Sequence, residues 1–178
     1  MIRRVRVVGN SGSGKTRFAR RLADVLEVPC LELDGIHHLA GWQEAPLEQF
    51  ATDLQSFLDR SDRAAGGWVD GNYASRVGAL LDAADTVVWL DYPRRVVMSR
   101  VVRRTFGRRL LRRELWNGNR ERWRAMFSAD PEQNIMLWAW TRHDQYRQRY
   151  EHAAAAATAA DWVRLRTPTE AERWLRTL

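Results

Sequence analysis

Two spacings of hydrophobic and polar positions alternate along this chain. Residues 3–9 form a short β-branched run that ends at a glycine-rich turn, and from Lys15 onward Phe18, Leu22, Val25 and Leu26 recur at helical spacing. Residues 29–33 read as a second strand closing on Asp34, after which Leu47, Phe50, Leu54, Phe57 and Leu58 share one face of a helix over residues 46–58. A third strand over 67–70 ends on Asp70. The run TVVWL, residues 86–90, has the unbroken apolar character of a strand covered on both faces, and it ends on Asp91. Pro93 suits the first turn of an arginine-rich helix, and Asp130-Pro131 punctuates before a helical pattern over 132–157. Residues 162–165 give a fifth strand. A closing helix over 169–178 has Thr169 and Glu172 spaced like a capping box.

Strands separated by crossover helices predict a three-layer α/β fold, with a parallel sheet covered on both faces and a single domain over residues 1–178. Ligands in such folds sit beyond the carboxyl ends of the strands. The first three strands end at Gly9, Asp34 and Asp70, so the glycine-rich turn and two carboxylates are expected to converge.

That turn carries the strongest motif. Residues 9–16, GNSGSGKT, fit G-x-x-x-x-G-K-[ST] and lie between a predicted strand and a predicted helix, the context a phosphate-binding loop requires. Gly9 opens the loop that would bind the nucleotide, and the backbone N–H groups of Asn10, Ser11, Gly12, Ser13, Gly14 and Lys15 can face one concavity, because Gly12 and Gly14 tolerate backbone angles that other residues resist. The helix N-terminus adds its dipole. Lys15 is expected to reach the β and γ phosphates of ATP, and the Thr16 hydroxyl to ligate Mg²⁺.

Composition sharpens the motif. The chain has 178 residues and Lys15 is its single lysine, so every other basic side chain apart from histidine is arginine. A guanine-reading N-K-x-D motif needs a second lysine and is excluded. The net charge of +7 hides an uneven distribution: between Arg94 and Arg124 stand twelve arginines against Glu114 and Glu121, leaving the remainder mildly acidic. An ATP-dependent motor of the two-subdomain kind would need more chain, whereas a small-molecule kinase fits. It needs acids near Mg²⁺ and the acceptor, cations on the transferred phosphoryl group, and a cover that excludes water.

Asp70 is the candidate for a metal-bound water, and Asp34 for orienting or deprotonating an acceptor hydroxyl; a turn-forming Asp-Gly is the other reading of each. His37, His38, Trp42, Tyr73 and Arg76 are candidates to line the acceptor pocket, with ordinary packing as their alternative. Arg100 and Arg104, four apart on one helix with Arg103 beside them, suit the phosphates; a solvated basic face is the competing reading. Residues 108–129 are the expected lid, with Gly107 and Gly118 as hinges. Cys30, the single cysteine, reads as a buried structural thiol. No run is long enough to span a membrane and no signal-peptide pattern opens the chain, which predicts a cytoplasmic protein without a membrane partner. The second function class weighed is a nucleic-acid-binding or regulatory ATP-binding protein, using the arginines of 94–124 with Trp116 and Trp123 as its surface.

GNSGSGKT, LELDGIHH with Trp42 after it, WVDGNYASR, VVWLDYPRRVVMSRVVRRT and RRELWNGNRERW together resemble the adenylate-kinase-like P-loop kinases, and among them the FlaR-like proteins labelled DNA topology modulation protein. The resemblance covers about residues 3–150. It implies a five-stranded parallel sheet in the order 2-3-1-4-5, an acceptor region after the second strand and a helical lid after the fourth. It also implies phosphate or adenine contacts from Arg100 and Arg104, a further phosphate contact from Arg142 or Arg147, and an adenine border at Arg166, Thr167 and Pro168. One departure stands out: where adenylate kinases have D-G-[FY]-P-R, this chain has Asp70-Gly71-Asn72-Tyr73, so the AMP-binding arginine is unmatched in place and Arg76 is the nearest substitute.

Overall fold

The computed structural model describes residues 4–63, 68–70, 73–82, 84–110, 114–119, 127–157 and 159–178. Five parallel strands form its sheet: β1 (Val5–Gly9), β2 (Cys30–Glu32), β3 (Trp68–Asp70), β4 (Thr86–Leu90) and β5 (Asp161–Leu165), in the order β2-β3-β1-β4-β5. Helix α1 (Lys15–Leu26) joins β1 to β2, and a short α2 (Leu33–His37) follows β2 directly. Helices α3 (Leu47–Arg63), α4 (Ala74–Leu81), α5 (Arg94–Leu110), α6 (Ile135–Ala156) and α7 (Pro168–Leu175) complete the described helices.

β1 and β4 are buried at every residue, the consequence of an apolar strand with neighbours on both sides and helices above and below. Helix α1 turns Phe18, Ala19, Leu22 and Ala23 inward, while α3 contributes Phe50, Leu54 and Phe57. Val25 and Leu47 are exposed, so each lies on the shoulder of its helix rather than on the inner stripe. Cys30 is only half-buried, because β2 is an edge strand. No helix among the described residues is long and apolar enough to cross a membrane.

Capping corrects two predicted boundaries. Thr167 caps α7: its hydroxyl accepts from Glu170 N at 3.1 Å, and Pro168, whose ring fixes φ and lacks an N–H, occupies the first turn. The pair Thr169 and Glu172 is therefore not the cap, and Glu172 instead pairs with Arg21 across the α1–α7 contact. Asn134 caps α6, accepting from Met136 N and Leu137 N, so the helix starts at Ile135 and residues 131–133 form a turn.

Candidate active site

The site is built at one edge of the sheet. Strand register aligns Glu32 with Asp70 and Asp70 with Val7, while Gly9 aligns with Leu90. Asp34 and Gly9 thus each lie two residues beyond one row, on the side where ligands of parallel sheets bind. The backbone places Asp70 in that row; its side chain lies outside the described residues.

Gly9, Gly12 and Gly14 all have positive φ, at 149°, 86° and 91°, which lets residues 9–14 curl tightly into the start of α1. Crowding adds a second requirement. A Cβ on Gly9 would sit 2.8 Å from the Leu90 carbonyl oxygen, and one on Gly12 would fall inside the Val101 side chain and 2.9 Å from Val97 O. Gly12 is what allows α5 to lie directly on the loop. Ser13 N donates to Asn10 O at 3.1 Å, and Lys15 Nζ reaches the same carbonyl at 3.3 Å, so the lysine folds back across the loop. Thr16 is the second residue of α1 and is half-buried beside it.

Three side chains hold the loop in place, one its own and two from α5. Asn10 is buried; its Nδ2 donates to Ala139 O at 2.7 Å and its Oδ1 accepts from Ser11 N at 2.8 Å, which ties the loop to α6. Arg100 Nη1 donates to Ser13 O at 2.7 Å while its guanidinium lies over the Tyr92 ring, 5.1 Å from the centroid. Burial raises the Tyr92 pKa, keeping its phenol neutral. One turn later, Arg104 Nη2 lies 3.4 Å from Ser11 Oγ. Both arginines of the predicted pair are therefore brought to the loop, on the helix that Gly12 admits.

The other predicted loop-side residues have partners of their own. Arg142 donates to Gln145 Oε1 at 2.8 Å and stacks over Trp138, with Glu132 at 3.9 Å, so it belongs to the exposed face of α6. Arg147 and Arg164 both bind the buried carboxylate of Asp91, at 3.1 and 2.6 Å, which closes the ends of β4 and β5 onto α6. Thr167 is occupied as the α7 cap and Pro168 as its first residue, just past the end of β5.

On the acceptor side Asp34 lies in α2 rather than in a turn. Tyr73 O–H donates to its Oδ1 at 2.6 Å, which fixes one carboxylate oxygen and brings Tyr73 to the site. His37 is only 5% exposed, packed against Phe50, Tyr73 and His38; it supports the site from the core rather than lining a pocket. Arg76 Nη1 donates to His37 Nδ1 at 2.9 Å and to Glu44 Oε2 at 3.1 Å, and its Nη2 to Ala45 O at 3.0 Å. This donor makes Nδ1 of His37 an acceptor and leaves its proton on Nε2. Burial lowers the pKa of both His37 and His38, so both are neutral at pH 7.

Sequence reasoning did not foresee what completes this side. Residues 38–44 form a narrow loop in which Leu39 N donates to Gln43 O at 2.8 Å and both Gly41 and Trp42 have positive φ. A turn from the stretch between α5 and α6 docks on it. Asn117 Nδ2 donates to the carbonyls of Gly35 and His38 at 3.2 and 2.6 Å, and Asn119 Nδ2 donates to Leu39 O at 2.8 Å. Asn119 Oδ1 in return accepts from Trp42 N at 2.9 Å, and Trp116 Nε1 donates to Glu32 Oε2 at 3.0 Å. The Trp116 ring fits against Gly35, where a Cβ would come within 3.1 Å of it. His38 meets Trp42 and Trp116 at 5.3 and 6.1 Å between centroids. The signal in the sequence was WNGN itself, a turn with amide donors, but only contacts across 80 residues give it meaning.

Of the predicted lid over 108–129, residues 111–113 and 120–126 lie outside the described residues, 108–110 continue α5, and 114–119 hold the docked turn. Gly107 is not a hinge between elements, since α5 runs through it to Leu110, while Gly118 has φ 75° within the docked turn.

The donor set fits the predicted Mg²⁺ and ATP. The loop is a cradle in which side chains at Gly9 and Gly12 would collide, Lys15 lies across it, and the Thr16 hydroxyl stands at the helix start.

No protein-family model matches the chain, nor does any curated protein. Solved structures do. A shikimate kinase from Acinetobacter baumannii in complex with shikimate is 21% identical, covering 99% of this chain and 90% of its own with a TM-score of 0.53. A sugar kinase from a Janibacter species is 20% identical over 99% and 94%, TM-score 0.51. A deoxyadenosine kinase from M. mycoides with bound dCTP is 12% identical over 98% and 97%, TM-score 0.54. What these share with the chain is the α/β fold of a parallel sheet flanked by helices.

Proposed function

We propose that the protein is an ATP- and Mg²⁺-dependent kinase that transfers the γ-phosphoryl group to a small acceptor, a nucleotide or nucleoside. The observation that carries this is the convergence of Lys15, Arg100 and Arg104 on residues 10–15, three cations around a glycine-shaped loop at the N-terminus of α1. The fold shared with small-molecule kinases and the sequence likeness to adenylate-kinase-like proteins, the FlaR-like group among them, support it.

In this mechanism Thr16 and, through a water, Asp70 would hold Mg²⁺, which would supply positive charge against the phosphates. Lys15 contacts the β and γ phosphates, and Arg100 and Arg104 offset the charge spreading over the transferred group. Asp34 accepts the hydrogen bond of the acceptor hydroxyl. As that oxygen bonds to the γ-phosphorus, the bond to the β–γ bridging oxygen breaks, ADP leaves with the electron pair, and the hydroxyl proton passes to Asp34.

Calorimetric titration with Mg·ATP, and ADP release in the presence of nucleosides and nucleotides, test the reading. Binding that disappears in Lys15→Ala is expected; an absence of ATP binding at millimolar concentration sinks it. The nucleic-acid alternative predicts something different, salt-sensitive DNA or RNA binding that survives Lys15→Ala.

A further inference from the structure

We propose, resting on the kinase reading above, that the acceptor is an uncharged, hydroxyl-bearing ring compound of the nucleoside kind rather than a phosphorylated one. The charges set around the acceptor stretch are the reason. Asp34 presents a carboxylate with one oxygen taken by Tyr73, and Glu44 and Glu32 stand on the flanking segments. Two cations stand in this region among the described residues, Arg20, which is paired with Glu32, and Arg76. The Arg76 guanidinium is already matched: Glu44 takes the charge, His37 Nδ1 and Ala45 O take further donors, and the Phe50 ring lies 5.6 Å beneath it. An acceptor phosphate would compete with Glu44 for that guanidinium and stand close to the Asp34 carboxylate, and like charges brought together in a partly desolvated site are strongly disfavoured.

The remaining surface suits a neutral ring. His38, Trp42 and Trp116 form a contiguous aromatic group beside Asp34-Gly35, and the Asn117 and Asn119 amides fix the backbone that carries it. Burial keeps His37 and His38 uncharged, so neither histidine supplies a cation for a phosphate at neutral pH. Flat apolar faces with one carboxylate to receive a hydroxyl proton describe a site for a base or sugar ring whose reacting group is an alcohol.

The test sets adenosine, cytidine, guanosine, uridine and thymidine against their own 5′-monophosphates, with Mg·ATP and the full-length protein, measuring kcat/KM from ADP release and product mass. The expected result is turnover of one or more nucleosides with kcat/KM at least about a hundredfold above the matching monophosphate. Glu44→Gln frees part of the Arg76 charge and should narrow that ratio by roughly threefold to fivefold. Preferred turnover of the monophosphates overturns the proposal, and so does ATP binding without phosphorylation of either series. Loss of ATP binding itself marks failure of the kinase reading, which the same calorimetric titration detects separately.

Discussion

Lys15 spans its own loop to the Asn10 carbonyl, a reach that suits a slender ammonium on a flexible stem. A guanidinium is broader, planar and demands several acceptors at fixed angles. Lys15→Arg is therefore expected to abolish turnover while leaving the thermal unfolding midpoint near that of the parent; near-normal kcat would remove the loop from the phosphate-binding role. Asp34→Asn keeps the hydrogen bond from Tyr73 but removes a proton acceptor, and should lower kcat by about 10²- to 10⁴-fold with ATP affinity unchanged. Gly12→Ala meets Val101 and the Val97 carbonyl, so it should cost about 1–3 kcal/mol of stability, read from urea midpoints, and displace Arg100 and Arg104 together with α5. At this scale the sequence was most informative where chemistry is local. GNSGSGKT names its own role, and Arg100 and Arg104 share a helix face by spacing alone. The state of Arg76 was invisible, because its partners Glu44 and Ala45 lie 32 and 31 residues away.

Among the elements, those with a strong period were legible and the short ones were not. β1, β4, α1 and α5 follow from unbroken apolar runs or repeated apolar spacing. α2 is five residues long and lies inside a stretch that reads equally well as a strand end and a turn. The α7 cap was misplaced by two residues because T-P-T offers two threonines, and only the proline between them decides which is helical. The turn at 115–119 was legible only as a turn, and its docking on residues 35–42 was not. Its importance can be measured: Asn119 is 4% exposed and satisfies both a partly buried carbonyl and a backbone N–H. Asn119→Ala should cost about 1–3 kcal/mol and raise amide exchange in residues 39–43 while leaving the phosphate loop protected. Unaltered exchange in those residues would mean that the turn rests on the loop without holding it.

For the molecule as a whole, pH dependence follows from the neutral histidines. His37 and His38 titrate below the ordinary histidine value of about 6.5, because burial penalises their charged forms. As pH falls below that value the unfolded chain takes up protons first, so the contribution to stability is complete above about 6.5 and is lost as pH drops toward the folded values. Urea midpoints should thus fall between pH 7.5 and 5.5, and the fall should be smaller in His38→Gln. A profile identical in the two proteins would separate His38 from the effect.

The amide clamp has one more consequence, for how the site can change over time. Asn117 and Asn119 grip main-chain carbonyls at Gly35, His38 and Leu39 and the main-chain N–H of Trp42, groups that nearly any amino acid provides. The side chains at positions 38, 39 and 42 are thereby relieved of anchoring duty. Substitutions there can remodel the walls of the proposed acceptor site while the loop stays fastened, so on the kinase reading proposed above the clamp lets acceptor preference change one residue at a time without refolding the segment that bears it.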